Sequence, residues 1–85
     1  MPYDVGQKVY IRPHFRDTEV YQDLLPPGPE PYTVTEVIVS GLAHFYELKD
    51  AKGIHVLTRG RARARFGEAW LTDQRPGPRL VSNKS

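Results

Sequence analysis

Four arginines that recur at every second position are the residues best suited to chemistry in this 85-residue chain. Guanidinium groups stay charged at neutral pH and bind phosphate through paired N–H donors, so they suit contact with a polyanion. In a β-strand all four side chains would project from one face about 6.7 Å apart, close to the phosphate spacing of one extended nucleic-acid strand. A helix would spread them around its axis. An extended segment would therefore form a nucleic-acid contact through Arg59, Arg61, Arg63 and Arg65.

The charge of the chain is divided unevenly along its length. Residues 1–50 carry four Lys or Arg against eight Asp or Glu, a net −4, whereas residues 51–85 carry eight against two, a net +6. Such asymmetry fits a polyanion-facing surface on which Arg75 and Arg79 assist the four arginines. It fits equally a fold in which the basic half forms ion pairs with the acidic half.

The second candidate site is a proline-rich stretch over residues 13–31, which holds five of the eight prolines. Prolines at this density disfavour both a helix and a central strand, so we predict a long loop. Its apolar side chains either dock a protein partner at small ordering cost or fold over one end of the domain as additional core. The first option makes a protein-interaction or assembly module, for example an accessory protein of a phage or mobile element, the alternative function. The side chains are Phe15, Tyr21, Leu24 and Leu25.

The other polar residues predict no enzyme, no cofactor and no metal site. The three histidines lie on different predicted elements, and the chain has no cysteine to accompany them as a metal ligand. Ser40 lacks the sequence of a nucleophile elbow, and no glycine-rich loop that would cradle a phosphate is present. The longest aliphatic run has three residues, Val37-Ile38-Val39, so we expect no membrane contact. A cytoplasmic or a virion-associated protein fits this sequence, and we expect the cytoplasm.

Five short strands are predicted to position these sites. Alternating or β-branched residues mark residues 7–12, 32–39, 43–49, 54–58 and 68–72. The alternation slips near Glu36, which predicts a bulge, and residues 50–53 predict a tight turn. Residues 59–67 are compatible with a strand, a helix or a loop, because alanine and arginine favour a helix while the alternation favours a strand.

The order of these segments resembles that of SH3-like barrels. Val5-Gly6-Gln7-Lys8-Val9-Tyr10-Ile11 is similar to the opening of KOW, Tudor and chromo-like modules and of the C-terminal barrels of retroelement integrases. Tyr32-Thr33-Val34, Phe45-Tyr46-Glu47-Leu48 and the turn at Gly53 follow in the same order. The resemblance implies an all-β, five-stranded SH3-like barrel over residues 1–73, with a long loop after strand one and a flexible tail over residues 74–85. Such modules bind nucleic acid, methylated tails or proteins, but the aromatic cage of methyl-lysine readers does not map onto this sequence.

Overall fold

The first strand forms where the alternation of apolar and polar residues predicts it. In a computed structural model, which describes residues 3–75, β1 spans Lys8–Ile11. Val9 and Ile11 are fully buried and Lys8 is exposed, as a period of two requires. The remaining strands are β2 (Tyr32–Ser40), β3 (Ala43–Lys49), β4 (Phe66–Gly67) and β5 (Leu71–Thr72).

The bulge predicted near Glu36 is confirmed. β2 and β3 form an antiparallel hairpin in which Val34 pairs with Leu48 and Glu36 pairs with Glu47, so one residue of β2 is left over between them. The extra residue reverses the faces of β2. Val34 faces the core before the bulge, and Val37 packs against the core after it.

The five strands form one antiparallel sheet in the order β4-β3-β2-β1-β5. The two edge strands are consecutive in the sequence, and a 3₁₀ turn over Glu68–Trp70 joins them. Four strand spacings separate the edges of a flat sheet by about 19 Å, whereas three residues of 3₁₀ helix rise about 6 Å. The sheet must therefore curl. The all-β prediction is confirmed, and no ladder between β4 and β5 closes the sheet within residues 3–75.

The prediction that residues 13–31 contain no helix is wrong for the first half of that stretch. A 3₁₀ turn spans Pro13–Asp17, and a single α-helical turn, α1, spans Glu19–Gln22. Pro13 stands at the start of its turn, where its missing N–H costs no hydrogen bond. Thr18 caps α1 by accepting a hydrogen bond from the Tyr21 amide. The prolines after residue 25 do lie in a loop, which includes a cis peptide bond between Glu30 and Pro31.

The strand predicted over residues 54–58 is wrong, and the one predicted over residues 68–72 forms only in its last two residues, as β5. Residues 54–58 form isolated bridges instead of a strand. They share one edge of β3 with β4, because this edge pairs with the stretch only at His55 and pairs with β4 farther along. In residues 68–72 the first three residues form the 3₁₀ turn that crosses between the sheet edges, and β5 follows it. Residues 59–67 form a turn, a bridge at Arg63 and β4. Residues 76–85 of the predicted tail lie outside the described part of the chain.

A single apolar cluster fills the space enclosed by the curled sheet. Every strand contributes to it, and Leu24 and Val56 reach it from the connecting segments. The core residue Tyr32 has a hydroxyl group whose pKa is raised. Its side chain is 2% exposed, and its hydroxyl donates a hydrogen bond to the Gly28 carbonyl at 2.9 Å. Burial disfavours the phenolate and raises the pKa of Tyr32 to about 12.

The raised pKa of Tyr32 predicts a loss of stability at high pH. An unfolded tyrosine releases its proton near pH 10, so ionisation lowers the free energy of the unfolded chain between pH 10 and 12, while the folded chain stays protonated up to about pH 12. Each such phenol lowers the free energy of unfolding by up to about 1.4 kcal/mol per pH unit in that window. Urea unfolding between about pH 9 and 12 should show a shallower decline for Tyr32→Phe than for the parent or for Tyr10→Phe. Equal declines in all three proteins would contradict the assignment.

Candidate binding surface

The segment that carries the four arginines begins as a tight turn. The Thr58 amide donates to the Ala62 carbonyl, and the Arg61 amide donates to the Thr58 carbonyl, each at 2.8 Å. Arg61 has a φ of +66°, in the left-handed region, which reverses the chain. Residues 59–62 are therefore not extended, and the four side chains do not form a single straight row. The extended geometry holds from Arg63 to Arg65, on either side of the buried Ala64.

A buried carboxylate lies against the last two arginines. Arg63 Nη1 is 3.7 Å from Glu47 Oε1, and Arg65 Nε is 3.5 Å from Glu47 Oε2. The Glu47 side chain is 8% exposed, whereas those of Arg63 and Arg65 are 54% and 62% exposed. Ion pairing between the basic and acidic halves therefore occurs here. Both arginine side chains nevertheless keep more than half of their surface exposed.

The two sites predicted from the sequence meet on one surface. The Arg59 amide donates to the Asp23 carbonyl at 2.9 Å, and its Nε donates to the Gln22 carbonyl at 3.1 Å. Leu24 forms a bridge with Thr58. The arginine segment, defined as residues 59–65, is thus bonded to the end of α1 and to the residues that follow it.

An apolar cleft of about 330 Å³ lies where these elements meet. Its lining comes from α1, from β3 and from the stretch that includes β4 and the second 3₁₀ turn. The Trp70 ring of this region contacts two other aromatic rings. Phe15 stacks on Trp70 with ring centroids 4.7 Å apart, and the Phe66 centroid is 5.8 Å from that of Trp70. Asp23 and Arg65 add one residue of each charge to the apolar lining of Val20, Leu24, Phe45, Phe66 and Trp70.

The four apolar residues predicted as a protein-docking site have different environments. Leu24 is buried in the core, and Tyr21 is half-buried and packs against it. Phe15 is half-buried in its stack with Trp70. Leu25 is exposed and lines a second cleft of about 200 Å³. Tyr21 and Leu24 thus pack on the core as the additional-core alternative describes, whereas Leu25, which that alternative also includes, is exposed.

The sequence analysis missed most residues that line the first cleft. Val20, Phe45 and Phe66 belong to α1, β3 and β4, which are far apart in the sequence. Trp70 packs at the edge of the core and also lines the cleft. The signal in the sequence that could have indicated this cleft was an aromatic residue, Phe66, directly after the last of the four arginines.

Other kinds of site are not seen in the part of the chain that the structure describes. Residues 3–75 contain no group of three or more acidic or histidine side chains that could hold a metal ion. Within the same residues no helix has the length and apolar character needed to cross a bilayer. Arg75 is exposed, and Arg79 lies outside the described residues.

Comparison of the chain with protein-family models, with curated proteins and with solved structures finds no match. Functional inference therefore depends on the surface formed by the arginine segment and the cleft.

Proposed function

We propose that this domain is a nonenzymatic SH3-like binding module that holds the phosphate backbone of a nucleic acid with Arg59, Arg61, Arg63 and Arg65. The observation that carries the proposal is the concentration of four guanidinium groups within seven residues. The segment contains four arginines and no acidic residue, and two of the arginines, Arg63 and Arg65, share the carboxylate of Glu47. A net positive surface attracts phosphate at long range and gains entropy from released counterions.

The barrel part of the proposal is supported by the curl of the sheet. A short 3₁₀ turn links its two edge strands, and a long connection follows β1. A small barrel of this kind holds its loops on a rigid base. The arginine segment gains such a base through its hydrogen bonds to α1 and through the buried Ala64.

Glu47 does not prevent phosphate binding by Arg63 and Arg65. The two ion pairs are long, at 3.7 and 3.5 Å, and both arginine side chains are more than half exposed. A phosphate contacts an arginine through two parallel N–H bonds from the solvent side, while the carboxylate stays beneath.

The protein-docking alternative is supported less well by the geometry. Its function would require the apolar loop side chains to be free for a partner. Tyr21 and Leu24 instead pack on the core, and Phe15 braces Trp70. Leu25 is the exposed member of the set.

A salt titration tests the proposed function. Four neutralised phosphates give a slope of log affinity against log salt of about −3.6 on duplex and about −2.8 on a single strand. Fluorescence anisotropy with a labelled oligonucleotide, from about 50 mM to 500 mM salt, measures the slope. Absence of binding at the lowest ionic strength, or a salt slope near zero, would contradict the proposal.

A further inference from the structure

We propose that the cleft beside the arginine segment takes an unstacked base, so that the ligand is single-stranded nucleic acid rather than duplex. The inference rests on the proposed function and specifies its ligand class. It depends on two features that lie side by side, an aromatic cleft and a cluster of guanidinium groups.

The volume and lining of the cleft suit an aromatic ligand. Its volume of about 330 Å³ falls within the range of small-molecule sites. Phe45 and Trp70, both half-buried, supply aromatic surface, and any base can stack on such surface whatever its identity. The Phe15 ring lies nearly parallel to that of Trp70, with 16° between their planes, so the indole is held in place before a ligand arrives.

The charges at the cleft match a nucleotide rather than a free apolar group. Arg65 lines the cleft and also belongs to the arginine segment, so a base in the cleft would have its phosphate close to a guanidinium. The Asp23 side chain, on the same cleft, can accept a hydrogen bond from the exocyclic amino group of cytosine.

A duplex cannot fill the cleft without cost. Its bases are stacked and paired, and extruding one costs a few kcal/mol. A single strand presents its bases freely, and aromatic stacking with phosphate contacts is the usual basis of single-strand binding. The arrangement of residues here therefore favours the single strand.

The only tryptophan of the chain gives a direct test. Because Trp70 is the sole tryptophan and lines the cleft, its fluorescence reports occupancy of this cleft. A cytosine oligonucleotide of about 12 nucleotides should quench it. An abasic strand of the same length carries the same phosphates without bases and should leave the fluorescence unchanged, as should a duplex at the same phosphate concentration.

A pair of matched variants tests the cleft without removing core residues. Val20 lines the cleft and is 64% exposed, and Val5 is 65% exposed and is not among the residues that line it. Val20→Glu should weaken binding of the cytosine strand about tenfold more than Val5→Glu, although both variants add one negative charge.

The outcomes separate this inference from the proposed function. Anisotropy that reports strand binding while Trp70 fluorescence stays constant, or an abasic strand that quenches equally, overturns the base-binding cleft and leaves phosphate binding intact. Failure of every nucleic acid to bind in the anisotropy assay overturns both. Tighter binding to duplex than to the single strand also overturns the inference.

Discussion

Replacing Arg59 and Arg61 by glutamine is expected to weaken binding to a single strand about 25-fold at 0.1 M salt. Each phosphate contact on a single strand contributes about 0.7 to the salt slope, which corresponds to about fivefold in affinity between 0.1 M and 1 M salt. The slope should therefore fall from about −2.8 to about −1.4. Both residues lie on the exposed turn, so the Glu47 ion pairs stay intact. Anisotropy titrations at several salt concentrations give both quantities.

The control for this variant removes the same charge elsewhere. Lys8 on β1 and Lys52 in the turn after β3 are both exposed and lie outside the arginine segment. Lys8→Gln with Lys52→Gln lowers the net charge by the same two units and should change the affinity far less. If the two double variants lose affinity equally, binding follows the overall charge of the domain and the arginine segment has no special role.

Arg63 and Arg65 are a poorer choice for that experiment. Their replacement would leave the buried Glu47 carboxylate without its positive neighbours, and an unpaired buried charge destabilises the fold. A loss of binding would then mix unfolding with loss of phosphate contacts. Adding Glu47→Gln to such a variant removes the buried charge and restores a clear comparison.

Features that depend on neighbouring residues were predicted well from the sequence. β1 follows directly from alternation and β-branched content, and β3, which contains the aromatic pair Phe45-Tyr46, has the predicted bounds, Ala43–Lys49. The bulge in β2 was also visible, because a change of face must occur wherever the apolar residues change parity. These patterns reflect the two-residue period of a strand that has one buried face.

Features that depend on distant contacts could not be predicted. β4 and β5 have two residues each, too few for any period, and they exist because β3 and β1 offer them free edges. Residues 54–58 have strand composition, yet they share the edge of β3 with β4 and form isolated bridges.

The candidate site was likewise predictable only in part, in its residues and not in their arrangement. The arginines were evident as residues, but their arrangement depends on the turn at Arg61 and on Glu47, which lies on another strand. The cleft was not predictable, because Phe45, Phe66 and Trp70 meet only after the sheet has curled. Side-chain chemistry is local information, whereas the geometry of a site is set by the tertiary fold.

Gly28→Ala is expected to lower the free energy of unfolding by about 2–3 kcal/mol, which for a domain of this size corresponds to a fall in Tm of roughly 10–20 °C. A methyl group at this position would overlap the Asp50 carboxyl group, with its carbon only 2.6 Å from Asp50 Cγ. Asp50 cannot move aside freely. It is 7% exposed, and its Oδ1 accepts hydrogen bonds from the amides of Lys52 and Ile54 at 2.8 and 3.0 Å.

Gly67→Ala is the matched control for this substitution. A methyl group at Gly67 meets nothing within 4 Å, and the φ of −65° suits any residue. Alanine there should be neutral or stabilise the fold by up to about 1 kcal/mol, because it restricts the unfolded chain. Urea unfolding of both variants separates the effect of crowding at Gly28 from the general effect of adding a methyl group.

A double-mutant cycle with Asp50→Ala identifies the cause of the loss at Gly28. Asp50→Ala alone destabilises the fold, because the Lys52 and Ile54 amides lose their acceptor. In that background the carboxyl group is gone and only the Cβ of residue 50, 2.9 Å from the added methyl carbon, still crowds it, so Gly28→Ala should cost clearly less than in the parent, a coupling typical of residues in contact. The same cost in both backgrounds would mean that the methyl group disturbs something other than Asp50. Coupling between the two substitutions would show that Asp50 has two roles: it accepts hydrogen bonds within its own turn, and it packs against the proline-rich stretch. A backbone hydrogen bond joins the same two parts of the chain, because the Ala51 amide donates to the Pro29 carbonyl.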